Sequence, residues 1–81
     1  MTENQIKDTV FTALKDVAPE ADPSSIDPDE NIQDELDIDS IDYLNFMMGL
    51  HEKTGVDVPE RDYAKLATIN SAVSYLVARV G

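Results

Sequence analysis

The sequence predicts an all-α fold, a small antiparallel four-helix bundle with three longer helices, one short helix and a long loop between the first and second helices. Three observations support this prediction. Apolar residues recur at spacings of three and four in separate segments, as in amphipathic helices. Residues that favour helix ends bound these segments. The alternating run 56–58 is too short to compete as a strand.

The length and composition fit one small domain, which we place at residues 1–81. A chain of 81 residues can form a single modest core. The absence of cysteine excludes disulfides, thiolate metal sites and a cysteine nucleophile. No apolar run approaches the length of a membrane span and no leader-like segment precedes the first helix, so we expect a cytoplasmic protein with no membrane partner.

The charge is strongly acidic and unevenly distributed. There are 17 Asp and Glu residues against 6 Lys and Arg, which gives a net charge of -11. Twelve of the acidic residues lie between Lys15 and Lys53, where no Lys or Arg occurs. Nucleic acid is excluded as a partner because phosphate neutralisation needs Lys and Arg. Basic protein surfaces are the natural complement, although acidic runs also serve solubility alone.

The first helix begins after Thr2, because Thr2 and Gln5 form the Thr-x-x-Gln pattern of a capping box. Pro19 closes it. Its apolar face is assigned to the core and to packing only. The residues of this face are Ile6, Val10, Phe11, Leu14 and Val17.

A long connection runs from residue 19 to about 38. Its prolines and its Asp, Ser and Asn residues favour turns over helix. So long a loop in a small domain is expected to be pinned or functional. Ile26, Ile32 and Leu36 are the candidate pins, and the spacing of the last two allows a single helical turn. We therefore expect an ordered crossover. Its prolines are Pro19, Pro23 and Pro28.

The helix that begins at Ser40 and stops at Gly55 organises the chain. At about 100° per residue it carries two apolar stripes. The first stripe faces the core and consists of Tyr43, Phe46, Met47, Leu50 and Thr54. The second consists of Ile41, Leu44 and Met48, and it either packs under the long connection or stays free for a partner.

Two further helical segments follow. Pro59 opens a short piece over residues 60–66, from which Tyr63 and Leu66 can point inward. Thr68 is the predicted N-cap of the last helix, which ends at Gly81. The apolar face of that helix comprises Ile69, Ala72, Val73, Leu76, Val77 and Val80.

Ser40 is the candidate functional residue. It lies at the N-terminal end of its helix, where unpaired N–H groups and the macrodipole favour a phosphate or phosphodiester. Either Ser40 or Asp39 could be the N-cap. Because a helix has one N-cap, capping accounts for the presence of only one of these two residues.

Enzyme and metal chemistry find little support in the sequence. His51 is the single histidine and lies eleven residues from Ser40, about 16 Å along one helix, so the two cannot share a hydrogen bond. We place His51 on the helix surface. The spacing of Asp27, Asp29 and Asn31 resembles a calcium loop but lacks its glycine and glutamate. No metal site is predicted, and weak divalent-ion binding to clustered carboxylates stays open.

The tripeptide Asp39-Ser40-Ile41, with Glu35-Leu36 before it and an apolar and acidic helix after it, resembles the Asp-Ser-Leu motif of acyl carrier proteins. The resemblance extends over nearly the whole chain, including Val58-Pro59 and Thr68-Ile69. It implies that Ser40 is modified with phosphopantetheine from coenzyme A, which makes the chain a phosphoprotein. The terminal thiol of this cofactor would carry acyl groups as thioesters, and Asp39 would flank the modified serine.

The resemblance also implies partners and a non-enzymatic role. A phosphopantetheinyl transferase would attach the arm, and acyl-transferring or acyl-modifying enzymes with basic docking surfaces would read the helix of a monomeric carrier. The partner face is expected at Ile41, Asp42, Leu44, Asn45, Met48 and Glu52. Candidates for lining an acyl pocket, which are core residues first, are Phe46, Met47, Leu50, Tyr63, Leu66, Ile69 and Leu76.

Several residues depart from the family pattern. Asp37 replaces a frequent glycine, Asn45 and His51 occupy positions that are usually acidic, and Tyr63 is bulkier than usual. Fatty-acid biosynthesis and a specialised lipid or polyketide pathway both stay open. Two alternative functions are an aminoacyl or peptidyl carrier and a cofactor-free acidic module that binds partner helices.

Overall fold

The computed structural model describes residues 1–22 and 24–80, and all regular secondary structure in this part of the chain is helical. The elements are α1 (Glu3–Val17), α2 (Ile32–Leu36), α3 (Ser40–Thr54), a 3-10 helix (Glu60–Leu66) and α4 (Ile69–Val80). The predicted all-α bundle is confirmed. The short helix α2 lies where the sequence allowed a single turn. Pro23 and the predicted helix end at Gly81 lie outside the described residues.

The helix ends follow the predicted signals. The hydroxyl oxygen of Thr2 accepts a hydrogen bond from the Gln5 N–H, and the Gln5 side chain accepts one from the Thr2 N–H. Gly55 ends α3 with a φ of 74°, a left-handed conformation that glycine adopts without steric cost. At the start of α4, the Ser71 N–H donates to the Thr68 hydroxyl oxygen at 3.0 Å. The chain therefore encodes its helix boundaries locally.

The core lies between α1, α3, α4 and the 3-10 helix. Helix α1 packs against α3 and α4, and the 3-10 helix packs against α4. Helices α1 and α3 approach closely, since a Cβ at Gly49 would lie 3.6 Å from that of Ala13. The largest fully buried side chains are Ile6, Val10, Leu14, Ile32, Phe46, Leu50, Leu66, Ile69 and Leu76.

Hydrogen bonds join the second half of the long connection to the residues around the start of α4. The Ile32 N–H donates to the Ala67 carbonyl at 2.8 Å, and the Asn70 N–H donates to the Pro28 carbonyl at 3.0 Å. The Asn70 side chain also donates to the Asp29 carboxylate at 2.7 Å. The three predicted pins contact the core: Ile26 and Ile32 are buried and Leu36 is half-buried. For the described residues of the connection, the expectation of an ordered crossover is confirmed, and its last turn leads directly to Ser40.

The prediction that Val77 belongs to the core face of α4 is wrong, since its side chain is 39% exposed. With Ile69 at zero and about 100° per residue, the buried residues of α4 reach from Tyr75 near 240° to Val73 near 40°. Val77, near 80°, lies beyond that arc. The arc is turned toward Tyr75 because the 3-10 helix packs on that side of α4.

Candidate functional site

Ser40 is the first residue of α3 and is exposed. The N-cap is Asp39, whose carboxylate accepts a hydrogen bond from the Asp42 N–H at 2.8 Å. Among residues 1–22 and 24–80, no hydrogen bond involves the Ser40 hydroxyl. The structure thus gives the capping role to Asp39 and leaves the hydroxyl of Ser40 available for reaction.

A short corner connects α2 to the serine. Asp37 ends α2 with a φ of 54° and a ψ of 43°, the left-handed region that non-glycine residues seldom occupy. Ile38 follows and is buried, so it anchors the corner to the core. The Ile38 N–H donates to the Gln33 carbonyl at 3.1 Å. Because both sides of the corner are fixed, Ser40 is presented to solvent at a defined position.

The electrostatics around Ser40 suit an attached phosphodiester better than a free anion. The first turn of α3 offers N–H groups and the positive end of its macrodipole. Asp37, Asp39 and Asp42 lie within three residues of the serine and would repel a diffusing anion. A phosphodiester that is covalently bonded to the Ser40 oxygen needs no binding affinity to stay at this site. The residues around Ser40 therefore fit a covalently attached phosphodiester.

A cleft opens beside Ser40, and we call it the serine cleft. Its volume is about 300 Å³. The Tyr43 hydroxyl donates to the Tyr63 carbonyl at 2.6 Å across this region, which fixes the 3-10 helix against α3. Burial raises the pKa of Tyr43, so its hydroxyl stays a donor at neutral pH. The lining residues are Gln33, Ser40, Tyr43, Leu44, Glu60 and Tyr63.

The second apolar stripe of α3 is exposed. Ile41 is 71% exposed, Leu44 44% and Met48 53%. These three side chains therefore do not pack under the long connection, and we call them the apolar ridge. Of the other predicted partner-face residues, Asn45 and Glu52 are exposed and Asp42 is half-buried. Exposed apolar side chains with polar neighbours are typical of protein-binding surfaces.

The predicted acyl-pocket residues divide into two groups. Five of them are fully buried in the core: Phe46, Leu50, Leu66, Ile69 and Leu76. Met47 and Tyr63 instead line a second cleft of about 180 Å³, which we call the distal cleft. The other lining residues of the distal cleft are Met48, His51, Glu52, Asp57 and Val58. An acyl pocket within the bundle stays a prediction.

His51 lies on the surface of α3, as expected. Its Nδ1 atom is 3.0 Å from the Val56 carbonyl oxygen. A carbonyl can only accept a hydrogen bond, so Nδ1 carries the hydrogen. The ring therefore closes the C-terminal end of α3 against the following segment. Among the described residues, no three His, Cys, Asp or Glu side chains lie close enough together to hold a metal ion.

One buried polar pair was not predicted from the sequence. The Tyr75 hydroxyl donates to the Asp62 carboxylate at 2.7 Å, and Lys65 lies 3.3 Å from the same carboxylate. The hydrogen bond from Tyr75 is the main reason that the pKa of Asp62 is lowered. The pair joins the 3-10 helix to α4 across thirteen residues, and no local pattern indicates it.

Comparisons with known proteins agree with this geometry. A family model described as "Phosphopantetheine attachment site" matches residues 8–76. The acyl carrier protein of Lactobacillus johnsonii is 37% identical over 79 residues, which cover 94% of each chain. That of Lactobacillus acidophilus is 32% identical over 78 residues, 93% of this chain and 98% of the relative. The fold resembles that of the Enterococcus faecalis acyl carrier protein, with a TM-score of 0.76, 25% identity and coverage of 96% of this chain and 98% of that chain.

These matches span the serine, the helix that follows it and most of the core. No helix in the described part of the chain is long and apolar enough to cross a membrane. Members of the matched family interact with phosphopantetheinyl transferases and with acyl-handling enzymes. The chain belongs to the acyl carrier protein family, whose members carry acyl intermediates of fatty-acid biosynthesis on a covalently attached phosphopantetheine arm.

Proposed function

We propose that Ser40 carries the phosphopantetheine arm and that the chain presents acyl thioesters on this arm to partner enzymes. The observation that supports this assignment most directly is the division of labour at the start of α3. Asp39 caps the helix, while the exposed hydroxyl of Ser40 makes no hydrogen bond within residues 1–22 and 24–80. The arm supplies a terminal thiol, which this cysteine-free chain does not have.

The residues around Ser40 present the arm and do not react themselves. Asp39 keeps the first turn of α3 intact through its bond to the Asp42 N–H. Ile38 and the buried part of the corner hold this turn against the core. We propose that the chain is not an enzyme, because its one histidine is bonded to the Val56 carbonyl near the other end of α3.

The apolar ridge and the surrounding acidic residues support docking of basic partner surfaces. The ridge offers apolar area that partners can bury. The net charge of -11 attracts basic surfaces and raises association rates at low salt. At physiological ionic strength, the attraction between exposed charges more than about 8 Å apart is largely screened. Partners should therefore associate more slowly as salt is added, and each complex stays weak enough for the carrier to leave.

An acyl-loading experiment tests the function. The protein bearing the arm is incubated with an acyl-activating enzyme and ATP, with a fatty acid as cargo in one reaction and an amino acid as cargo in another. We expect a thioester that neutral hydroxylamine cleaves, formed with the fatty acid and absent in Ser40→Ala. Loading with the amino acid alone would instead support an aminoacyl carrier. Partner binding that is unchanged in Ser40→Ala and an arm that never attaches would support the cofactor-free module.

Pathway, compartment and oligomeric state are separate parts of this proposal. We propose a monomer that works in the cytoplasm, in fatty-acid biosynthesis or in a specialised lipid or polyketide pathway. Light scattering of the protein with its arm attached tests the monomer directly. A mass that rises above one chain within the working concentration range would contradict it.

A further inference from the structure

Three exposed cations surround the buried Asp62–Tyr75 pair. Lys65 lies 3.3 Å from the Asp62 carboxylate, and the guanidinium carbon of Arg79 lies 3.5 Å from the centroid of the Tyr75 ring. Arg61 is close enough for its charge to help lower the pKa of Asp62, after the larger effects of the Tyr75 hydrogen bond and of Lys65. We call Arg61, Lys65 and Arg79 the basic patch.

The basic patch carries more charge than the pair beneath it neutralises. Within residues 1–22 and 24–80, the patch takes part in one ion pair, between Lys65 and Asp62. The two arginines have no carboxylate partner in this part of the chain. Half of the six Lys and Arg residues are gathered here, in a protein with a net charge of -11. The sign of the surface is therefore reversed at this place.

The side chain of Arg79 is held in a fixed orientation. Its guanidinium lies over the Tyr75 ring, and one of its N–H groups donates to the Tyr75 carbonyl oxygen at 3.3 Å. Both contacts restrict a side chain that is otherwise long and mobile. The other N–H groups lie in the guanidinium plane and form the fork that matches a carboxylate. An acidic side chain can therefore bind Arg79 at a low cost in side-chain entropy.

The basic patch and the serine cleft lie on different sides of the 3-10 helix. Such a helix has three residues per turn, so Glu60 and Tyr63, which line the cleft, share one side. Asp62 and Lys65 share another side, where Asp62 meets α4. A partner that covers α3 and continues over the 3-10 helix would reach the patch.

The charge of the whole chain restricts what the patch can bind. A net charge of -11 repels free anions, anionic membranes and a second copy of the chain. A carboxylate on a partner that is already attracted to α3 escapes this repulsion. Resting on the docking role proposed above, we propose that the basic patch binds an acidic region of the same partner whose basic region meets α3. Partners without such a region are repelled at the patch, which therefore contributes to partner choice and orientation.

Two synthetic peptides test this proposal. Each has a Lys- and Leu-rich amphipathic segment, joined to four glutamates in one peptide and to four glutamines in the other, and each is made in both orders. Fluorescence anisotropy at low and physiological salt gives their affinities for wild type and for Arg61→Gln/Arg79→Gln, the patch variant. From wild type to the patch variant, affinity for the glutamate peptide should fall several-fold in at least one order, while affinity for the glutamine peptide should not fall.

The matched control is Lys7→Gln/Lys15→Gln, which removes the same charge from two exposed positions on α1. It should weaken neither peptide, because added negative charge attracts the basic segment. Backbone NMR shifts with the glutamate peptide should include Arg61, Lys65 and Arg79 in wild type. If the patch variant does not fold by circular dichroism, Arg61→Gln alone replaces it, since no hydrogen bond or ion pair within residues 1–22 and 24–80 involves Arg61.

Two results overturn the inference while leaving the proposed function in place. The first is a folded patch variant that binds the glutamate peptide, in both orders, as tightly as wild type or the control does. The second is sedimentation of wild type, but not of the patch variant, with vesicles of phosphatidylcholine and phosphatidylglycerol, which would assign the patch to a lipid surface. Arm attachment at Ser40 is scored separately by intact mass, and its absence would overturn the proposed function and the inference that rests on it.

Discussion

The hydroxyl of Tyr75 donates a 2.7 Å hydrogen bond to the carboxylate of Asp62, and both residues are buried. This bond joins α4 to the 3-10 helix. The same 3-10 helix contributes Glu60 and Tyr63 to the serine cleft. The Asp62–Tyr75 pair therefore helps to position one wall of the cleft, far along the chain from Ser40.

Replacing Tyr75 by phenylalanine should lower stability in a pH-dependent way. The pKa of Asp62 is lowered in the folded protein, chiefly by the hydrogen bond from Tyr75. The contribution of Asp62 to stability is therefore present above its ordinary pKa of 3.8 and is lost as the pH falls through its lower folded pKa. Burial, followed by the bond to Asp62, raises the pKa of Tyr75. The contribution of Tyr75 to stability is therefore present below its ordinary pKa of 10.0 and is lost as the pH rises through its higher folded pKa.

Urea unfolding of wild type and Tyr75→Phe over a pH series measures this effect. The difference in midpoint should be largest between these two limits and should shrink at both ends. Tyr43 also has a raised pKa, so both proteins should still lose stability at alkaline pH. Tyr63→Phe is the control for loss of a phenolic hydroxyl elsewhere on the 3-10 helix. A midpoint difference that is the same at every pH would contradict the assigned hydrogen bond.

Two substitutions on α3 should separate its core face from its outer face. Leu50 is fully buried, so Leu50→Ala should lower the free energy of unfolding by about 2–5 kcal/mol. Met48 is 53% exposed, so Met48→Ala should change the free energy of unfolding by less than about 0.5 kcal/mol. Denaturant unfolding followed by circular dichroism makes the comparison. Similar losses in the two variants would show that the apolar ridge packs inside the protein.

Replacing Asp39 tests whether its role is capping. Asp39→Ala removes the acceptor for the Asp42 N–H and should cost about 0.5–2 kcal/mol of stability. Asp39→Asn keeps a capping oxygen and should stay close to wild type. Thermal or urea unfolding of both variants gives the answer. An asparagine variant as unstable as the alanine variant would mean that the charge, rather than the cap, supports this helix end.

Truncating the apolar ridge should weaken partner docking more than stability. Ile41→Ala removes a side chain that is 71% exposed, so the free energy of unfolding should change by less than about 0.5 kcal/mol. The rate of arm attachment by a phosphopantetheinyl transferase at low substrate concentration should fall. Val77→Ala is the matched control, since its side chain is exposed on α4. Equal attachment rates in all three proteins would remove the ridge from the partner surface.

The sequence predicts the features that depend on local pattern. The capping box at Thr2, the glycine stop at Gly55 and the starts of α3 and α4 follow from residue type and spacing. The two stripes of α3 were also visible, because a single core accounts for only one of them. The sequence left Asp39 and Ser40 as equal candidates for the cap, and only the hydrogen bond to the Asp42 N–H distinguishes them.

The remaining features depend on tertiary packing. Spacing alone placed Val77 in the core and gave Tyr75 no role, because the orientation of α4 is set by the 3-10 helix packed against it. The serine cleft and the distal cleft each bring side chains of α3 together with residues from 57–63, and no local sequence pattern indicates these contacts. The Asp62–Tyr75 bond arises from the same packing.

The central claim is that Ser40 is the attachment residue, and intact mass tests it most directly. Wild type, Ser40→Ala and Ser74→Ala are each incubated with coenzyme A and a broad-specificity phosphopantetheinyl transferase. Ser74 is an exposed serine on α4 and serves as the control. We predict a single added phosphopantetheine in wild type and Ser74→Ala and none in Ser40→Ala. Modification of folded Ser40→Ala, or unmodified folded wild type with several active transferases, would contradict the assignment.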